Sequence, residues 1–578
     1  MSARFNIKAA EPEAVASLQR ELHMPHFIAA TLVSRGIDTS EAANRFLTPS
    51  LDRDWRDPYI IPGLSEAADA LEAAIRRGDH ILVFGDFDLD GISATTVMTR
   101  GLREFGARVT PFIPRRFEEG YAITPAAIER LSQVKPDFLV TVDCGIACKA
   151  EVRLLQERGI EVAVTDHHEP SDLVPEGVPV ADPKRDPACP SAILAGVGVA
   201  LKMVQALGGR FGKPHLWRQY TDFATLGTIA DLMPMRDENR ALVADGLRRI
   251  NQAPRPCIAA LLDTSGAAGK QVTATNLSFS IIPRLNAAGR MGDAQLALDL
   301  LLTDDFEQAN QQAQRLEGVN DQRRAIEAEL SEIAKAQAAE TYKGQRALVV
   351  AGEGWHEGVK GIVASRLVNT YGVPSLLFTI TGDEARGSGR SVGQVNLFKA
   401  VEAASDLVTR FGGHEAAVGV TLPTANLPEF ERRLCAYMDE LPEGAFHPLI
   451  EIDACVALGE LTLENVEKLD TLAPFGQENP VPCFLARDVT LANCRAVGAE
   501  KNHFSCALSD GRNTVAAIMF HCTDIEALMH TDSVVNAAFE VQIDEWRGRR
   551  SVKAMLQSLA PARTCCALEA CLDPVERS

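Results

Sequence analysis

The sequence predicts an α/β protein in which a parallel-sheet domain is joined by a long helix to a second α/β domain, followed by a C-terminal β-barrel. Three observations carry this. From about residue 60 to 200, short apolar runs alternate with stretches of helical spacing, the pattern of βαβ units. Residues 305–342 are rich in Gln, Ala, Glu, Arg and Leu with few helix breakers. Beyond residue 450 the helical period gives way to short β-like runs.

In chain order, residues 1–60 form an N-terminal region without a distinct pattern. Residues 61–304 hold the parallel-sheet domain, with buried strands expected at His80–Phe84, Phe138–Val142 and Val162–Val164. Helices are expected at Ile92–Phe105 and Cys148–Arg158, each stopped by a glycine, Gly106 and Gly159. The connecting helix fills 305–345. In the second α/β domain, 346–440, Ala347–Val350 and Ser375–Ile380 are strands flanking a helix over Lys360–Tyr371, which Gly372 and Pro374 end. The barrel spans 448–562, with a strand at Val515–Phe520 and a hairpin turn at Trp546–Arg549, and 563–578 is a tail.

Composition is that of an ordinary globular chain: 578 residues, 46% hydrophobic and 24% charged, long enough for several cores. No segment approaches the roughly 18 uncharged apolar residues that span a bilayer, and the early Arg4, Lys8, Glu11 and Glu13 do not suit a secretion signal. Cytoplasm is the expected compartment. The 13 cysteines lack regular pairing, so reduced and mostly buried thiols are expected, and Cys565, Cys566 and Cys571 in the tail suggest neither a disulfide framework nor a zinc knuckle. A net charge of -20 weighs against broad electrostatic binding of nucleic acid. It is compatible with such binding only if bound cations invert the potential locally and the basic residues line a groove.

Three apolar runs end at side chains able to hold a metal: Gly85–Gly91, with Asp86, Asp88 and Asp90; Asp143–Gly145; and Asp166-His167-His168. In an open parallel sheet such strand ends face one crevice, so these distant segments should converge. Asp231, in Ile229–Pro234, joins them from outside the βαβ core. Carboxylates with imidazole and no thiolate suit Mn²⁺ or Mg²⁺ better than structural zinc, and two such ions fit displacement at a phosphodiester. Any one of these aspartates alone is better explained as a helix cap or turn residue. Four clusters, three at strand ends, argue against that explanation for the set.

Asp86-x-Asp88-x-Asp90-Gly91 together with Asp166-His167-His168 resembles the signature of the DHH phosphoesterase superfamily. The resemblance implies metal-motif positions at Asp86, Asp88, Asp90, Asp143, His167 and Asp231, two Mn²⁺ or Mg²⁺ ions, catalytic roles for Asp143 and His168, and His168 near the scissile phosphate. Phe87 stands where many relatives have Tyr, and its side chain is expected to point into the sheet.

Phe411–Gly419 combines glycines with an expected helix start, a cradle for phosphate through backbone N–H groups. It looks like the DHH-associated (DHHA1) domain, which implies substrate binding at Gly412, Gly413 and His414. Further resemblances to substrate-contact motifs are Trp355, His356 and Lys360; Ser388, Arg390 and Ser391 on an expected loop; and Arg284, Asn286 and Arg290 in Pro283–Asp293, expected to line a channel near the 5′ end of a strand. A tight turn, or ordinary surface arginines at a helix terminus, is the alternative for each taken alone.

Leu472–Pro480 resembles the start of the oligonucleotide-binding (OB) barrel of the RecJ family, and the barrel offers Phe504, Trp546, Arg547 and Arg549 as candidate contacts to single-stranded DNA. With that barrel, the resemblance covers nearly the whole chain. It implies a monomeric 5′→3′ exonuclease specific for single-stranded DNA, releasing 5′-mononucleotides in DNA repair and recombination, with a helicase and single-strand-binding protein as partners. The alternatives are a DHH oligoribonuclease or cyclic-dinucleotide phosphodiesterase, which would not need the barrel, and a non-catalytic DNA-binding scaffold, which would not need the metal residues.

Overall fold

The computed structural model describes residues 4–522, 525–529, 534–546 and 548–562. Arg547 and the cysteine-bearing tail lie outside the described residues. Strand β1 (Arg4–Ile7) opens the chain, and helices Pro12–Leu22, His26–Ser34 and Ser40–Leu47 follow. The first sheet comprises β2 (His80–Phe84), β3 (Arg108–Phe112), β4 (Phe138–Val142), β5 (Glu161–Thr165) and β6 (Val180–Ala181), all parallel, in the order β3-β2-β4-β5-β6. Alternate residues of β2 enter different cores: Ile81 and Val83 pack on one face, Leu82 and Phe84 on the other. Both faces are therefore covered, and this is why the strand sequences run continuously apolar.

Helix Phe306–Thr341 is capped by Asp305, whose side chain accepts from Gln308 N at 2.8 Å. It leads into a mixed sheet of β7 (Leu348–Glu353), β8 (Ser375–Thr381), β9 (Glu384–Arg390), β10 (Arg410–His414) and β11 (Ala417–Pro423), ordered β10-β11-β9-β8-β7. Helix Lys360–Tyr371 lies where the spacing predicts it and ends at Gly372, φ +69°.

β12 (Leu449–Ile452) pairs in parallel with β1. β13 (Ala454–Cys455), β14 (Phe484–Val497), β15 (His503–Ser509), β16 (Thr514–Met519), β17 (Val535–Trp546) and β18 (Arg549–Pro561) form a six-stranded sheet that the pairing of β14 with β17 closes into a barrel. The N-terminal helices share this barrel's core: Leu18, Phe27 and Leu32 pack with Leu472, Phe484, Phe504 and Phe539. The N-terminal helices and the barrel are thus one packed unit, which the pattern of residues 1–60 does not reveal because it carries no sign of its partner.

Three expectations are corrected. Gly387–Ser391 is not a loop: Gly387–Arg390 lie in β9, and their glycines serve close packing, since a Cβ at Gly387 would meet the Phe378 ring at 2.4 Å. Phe411–Gly419 is not a helix start but the hairpin β10–β11, with Gly412 opposite Gly419 and His414 opposite Ala417. Val418, Val420 and Leu422 alternate into the core, a period-two signal that the glycines obscured. Phe504 cannot stack on DNA, because it is fully buried inside the barrel. Leu472–Pro480, just before β14, packs Leu472 into the barrel core and also clasps the parallel-sheet domain. Arg240 donates to the carbonyls of Leu472, Ala473 and Pro474 at 2.8–3.2 Å, and Met235 N donates to Gln477 O at 2.7 Å. No helix among the described residues is long and apolar enough to cross a membrane.

Candidate metal centre and substrate cleft

The strand ends converge. Asp86 follows β2, Asp143 follows β4, Asp166-His167-His168 follow β5, and Asp231 caps the end of helix Thr221–Ala230. Asp86, Asp88 and Asp143 place carboxylate oxygens within 4.8 Å of one another; so do the ligand atoms of Asp90, His167 and Asp231, and those of Asp143, His167 and His168. His167 Nε2 lies 3.0 Å from Asp143 Oδ1, 3.6 Å from Asp231 Oδ2 and 3.7 Å from Asp90 Oδ2. Asp143 Oδ1 and Asp86 Oδ1 are nevertheless buried without a hydrogen-bond partner. Orphaned buried carboxylate oxygens are costly, and a divalent cation between them satisfies both.

The surrounding backbone is built for this crowding. Asp143 adopts φ +60°, a strained conformation for a residue with a side chain. Gly196 and Gly227 let two helices reach the acids, because a Cβ there would sit 2.5 Å from Asp143 and 2.6 Å from Asp90 Oδ1. Asp90 accepts from Gly196 N and Val197 N, at 2.7 and 3.0 Å, at the positive end of helix Gly196–Arg210. Asp88 combines two roles: it caps helix Leu89–Glu104, accepting from the backbone N–H of Asp90 and Gly91, and belongs to the cluster.

Burial and neighbouring charge set the ionisation. Burial first, then Asp88, pushes Asp86 up to about 8 and Asp231 up to about 6. Asp90 and Asp143 are raised well above the carboxylate range by burial and by the acids around them. Burial and the neighbouring His168 lower His167 to about 3, keeping it neutral as a ligand must be. His168 behaves oppositely. Burial works against its charge, yet the 2.7 Å contact between its Nδ1 and Asp166 Oδ1 raises it to about 9. Asp166 therefore orients an imidazole rather than joining the acid cluster, and His168 Nε2 is left to face the cleft.

Across the cleft, Arg390 at the end of β9 donates to Ser388 Oγ (3.3 Å) and Gly389 O (2.8 Å), while Arg290 donates to Gly358 O (3.1 Å). Burial and the nearby Arg116, Arg323 and Arg390 depress Arg290 to about 10. Clustered guanidiniums of this kind suit an anion. The face of β9–β11–β10 that carries Arg386, Gly412 and Gly419 floors a cavity of about 620 Å³.

Other predicted residues have different surroundings. Arg284 is committed to Glu317 of the long helix (2.6 Å), and Asn286 Oδ1 accepts from Leu89 N (3.1 Å), steadying the start of the Asp90 helix. Lys360 is buried, donating to Glu357 (2.8 Å) and to the Arg386 carbonyl. Trp355 packs against the core beneath the long helix, and Ser391 Oγ donates to Val395 O at 2.5 Å. His356 meets the ring of Phe117 edge-on at 5.6 Å. Gly412, Gly413 and His414 are exposed, as is Arg549 in the barrel, and Trp546 ends β17. Phe87 is half-buried against the core of the sheet domain, as expected, and also lies beneath the Arg116 guanidinium (4.8 Å) and beside Tyr121 (6.3 Å).

Sequence reasoning missed the segment after β3, which brings Arg116, Phe117 and Tyr121 to the cleft. The available signal was weak, since β3 begins exposed and contains Pro111. Had it been recognised as a parallel strand, its C-terminal loop would have been assigned to the same crevice.

A parallel sheet with an acid–imidazole cluster at its strand ends, facing a second α/β domain, defines the DHH class of phosphoesterases. Family models match at residues 80–228 (DHH family, N-terminal domain), 344–440 (DHHA1 domain) and 452–558 (RecJ OB domain). The single-stranded-DNA-specific exonuclease RecJ of Bacillus subtilis is 34% identical over 562 residues, covering 96% of this chain and 71% of its own. That of Dickeya dadantii is 33% identical over 566 residues, covering 93% and 96%. The crystal structure of RecJ in complex with Mn²⁺ from Thermus thermophilus superposes with TM-score 0.82 at 31% identity, covering 96% of this chain and 79% of that one. The chain belongs to the RecJ family.

Proposed function

We propose that the protein is a 5′→3′ exonuclease specific for single-stranded DNA, releasing 5′-mononucleotides in DNA repair and recombination. The observation that carries this reading is the convergence of Asp86, Asp88, Asp90, Asp143, His167 and Asp231 on one crevice, opposite the guanidiniums of Arg116, Arg290 and Arg390. Mn²⁺ or Mg²⁺ suits this all-oxygen and imidazole donor set, with Asp86, Asp88 and Asp143 holding one ion and Asp90, His167 and Asp231 the other. When bound, the pair stabilises the attacking and leaving oxygens of a phosphodiester displacement.

The chain's own residues do the rest. Asp166 holds the charged imidazole of His168 by Nδ1 and sets its direction, so that Nε2 donates to the scissile phosphate. Arg290 and Arg390 grip a terminal phosphate, with Ser388 and the exposed Gly412–His414 strand beside it, which stops the strand at its 5′ end. Residues 346–440 act in this reading as the substrate platform, and 448–562 as the surface that receives the strand beyond the cleft. A monomer acting in the cytoplasm, with a helicase and a single-strand-binding protein as partners, completes it.

The test is a single assay. Purified protein with Mn²⁺ is given end-labelled single strands, duplexes and dinucleotides, alongside Asp143→Ala. Loss from the 5′ end of long single strands, abolished by the substitution, is expected. Cleavage confined to dinucleotides would favour a small-oligonucleotide phosphodiesterase, and binding without cleavage a scaffold.

A further inference from the structure

We propose that Tyr121 is a second hydrogen-bond donor to the scissile phosphate, acting as a pair with His168. The inference rests on the exonuclease reading above and adds a residue to it. The Tyr121 hydroxyl lies 3.5 Å from His168 Nε2, and the two rings meet edge-on at 6.2 Å. Asp166 occupies the other nitrogen of that imidazole, so Nε2 and the phenol are presented together toward the cleft. Two donors 3.5 Å apart can both lie at hydrogen-bonding distance, about 2.7–2.9 Å, from one phosphoryl oxygen.

The tyrosine touches Phe87 at its edge but is not a core residue. Its ring is 50% exposed, while the next two residues, Ala122 and Ile123, are buried in the core under the sheet. Ala122 adopts φ +60°, a backbone conformation unfavourable for alanine, and that bend turns residue 121 outward while its successor turns in. The loop is pinned behind it. Glu119 accepts from Arg130 at 2.5 and 2.9 Å and from Arg115 N at 2.8 Å, and its carbonyl accepts from Thr124 Oγ1 at 2.8 Å. On its other side Phe117 touches His356 of the second α/β domain. A strained, anchored loop presenting an exposed phenol to the catalytic imidazole is the arrangement expected of a preorganised oxyanion donor. The hydroxyl keeps its proton throughout and supplies a hydrogen bond to the non-bridging oxygen on which charge builds.

Tyr121→Phe removes that bond and leaves the ring. With Mn²⁺ and a single-stranded substrate, single-turnover kcat should fall about 10²-fold while KM stays within about twofold, as for loss of one transition-state donor. The melting temperature should be unchanged. With separate Rp and Sp phosphorothioates at the terminal linkage, the wild-type-to-variant ratio should collapse for one diastereomer and persist for the other, because sulfur is a poor acceptor. A kcat within about threefold of wild type overturns the proposal. An equal loss on both diastereomers also overturns it, since the phenol would then act without touching that oxygen. Failure of the wild-type chain to cleave any single strand would overturn the exonuclease reading and, with it, this role for Tyr121.

Discussion

Replacing Asp143 by Asn should stabilise the metal-free protein and destroy its response to metal. Asp143, Asp86 and Asp88 have carboxylate oxygens within 4.8 Å of one another. At that separation, two unit charges repel by about 3.5 kcal/mol for an effective dielectric of about 20. Without cations the cluster sheds much of this by holding protons, so neutralising one member should yield about 1–2 kcal/mol, typical of relieving a strained functional site. Asn fills the same volume and tolerates the φ +60° backbone, so little opposes the gain. In EDTA, the variant's parallel-sheet domain should therefore melt about 2–8 °C above wild type, at about 2–4 °C per kcal/mol. Mn²⁺ at about a hundredfold excess over its Kd should add about 2.7 kcal/mol to wild type, or about 5–10 °C, and less than half of that to the variant. The order of melting temperatures then inverts between EDTA and Mn²⁺. Differential scanning calorimetry in both buffers reads this directly. A variant that melts below wild type in EDTA, or that gains as much from Mn²⁺, would refute the view that these acids form one repulsive ion cage.

Other consequences are open to measurement. Glu238 and Lys202 are both fully buried and paired, with Lys202 also over the Trp55 ring at 3.8 Å. Glu238→Ala should cost about 3–5 kcal/mol in denaturant unfolding, and replacing both partners with apolar residues should recover most of it. Phe504→Ala should destabilise the barrel by about 3–5 kcal/mol, whereas a surface stacking residue would weaken DNA binding and leave the melt unchanged. Gly196→Ala places a Cβ 2.5 Å from Asp143 and should abolish the Mn²⁺-dependent thermal shift. Three cleft guanidiniums imply a salt slope near −2 for single-strand binding by anisotropy, from about −0.7 per phosphate contact, and a slope steeper than about −5 would place the DNA elsewhere.

Much of this was legible in the sequence where a local rule and the global fold agree. The strands after which Asp86, Asp143 and Asp166 stand are continuous apolar runs, and Asp305 and Gly372 punctuate their helices as isolated caps would. Legibility failed where a residue type has two common uses. Glycines in β9 and β10 suggested loops and a helix start, yet those in β9 make room for Phe378 and Leu376, and those in β10 lie in a hairpin. Phe504 looked like a surface ring able to stack on a base, and only the alternation of β15 assigns it to the core. Pairing between β1 and β12, about 445 residues apart, leaves no local trace at all.

The acidity of the chain and its substrate are reconciled by where the cations stand. Exposed arginines are largely spent on neighbouring carboxylates, as in Arg432 with Glu429, Arg433 with Asp406 and Arg324 with Asp321. Within the described residues, Arg290 and Arg390 donate to neutral groups, and each keeps an unspent charge facing the cleft. A surface of net negative sign repels duplex and internal strand alike. A strand that threads the cleft passes these guanidiniums before it reaches the acids, which are themselves attractive to phosphate only when they hold divalent ions. The same carboxylates that make the metal-free crevice hostile to DNA thus make the loaded one a binding site.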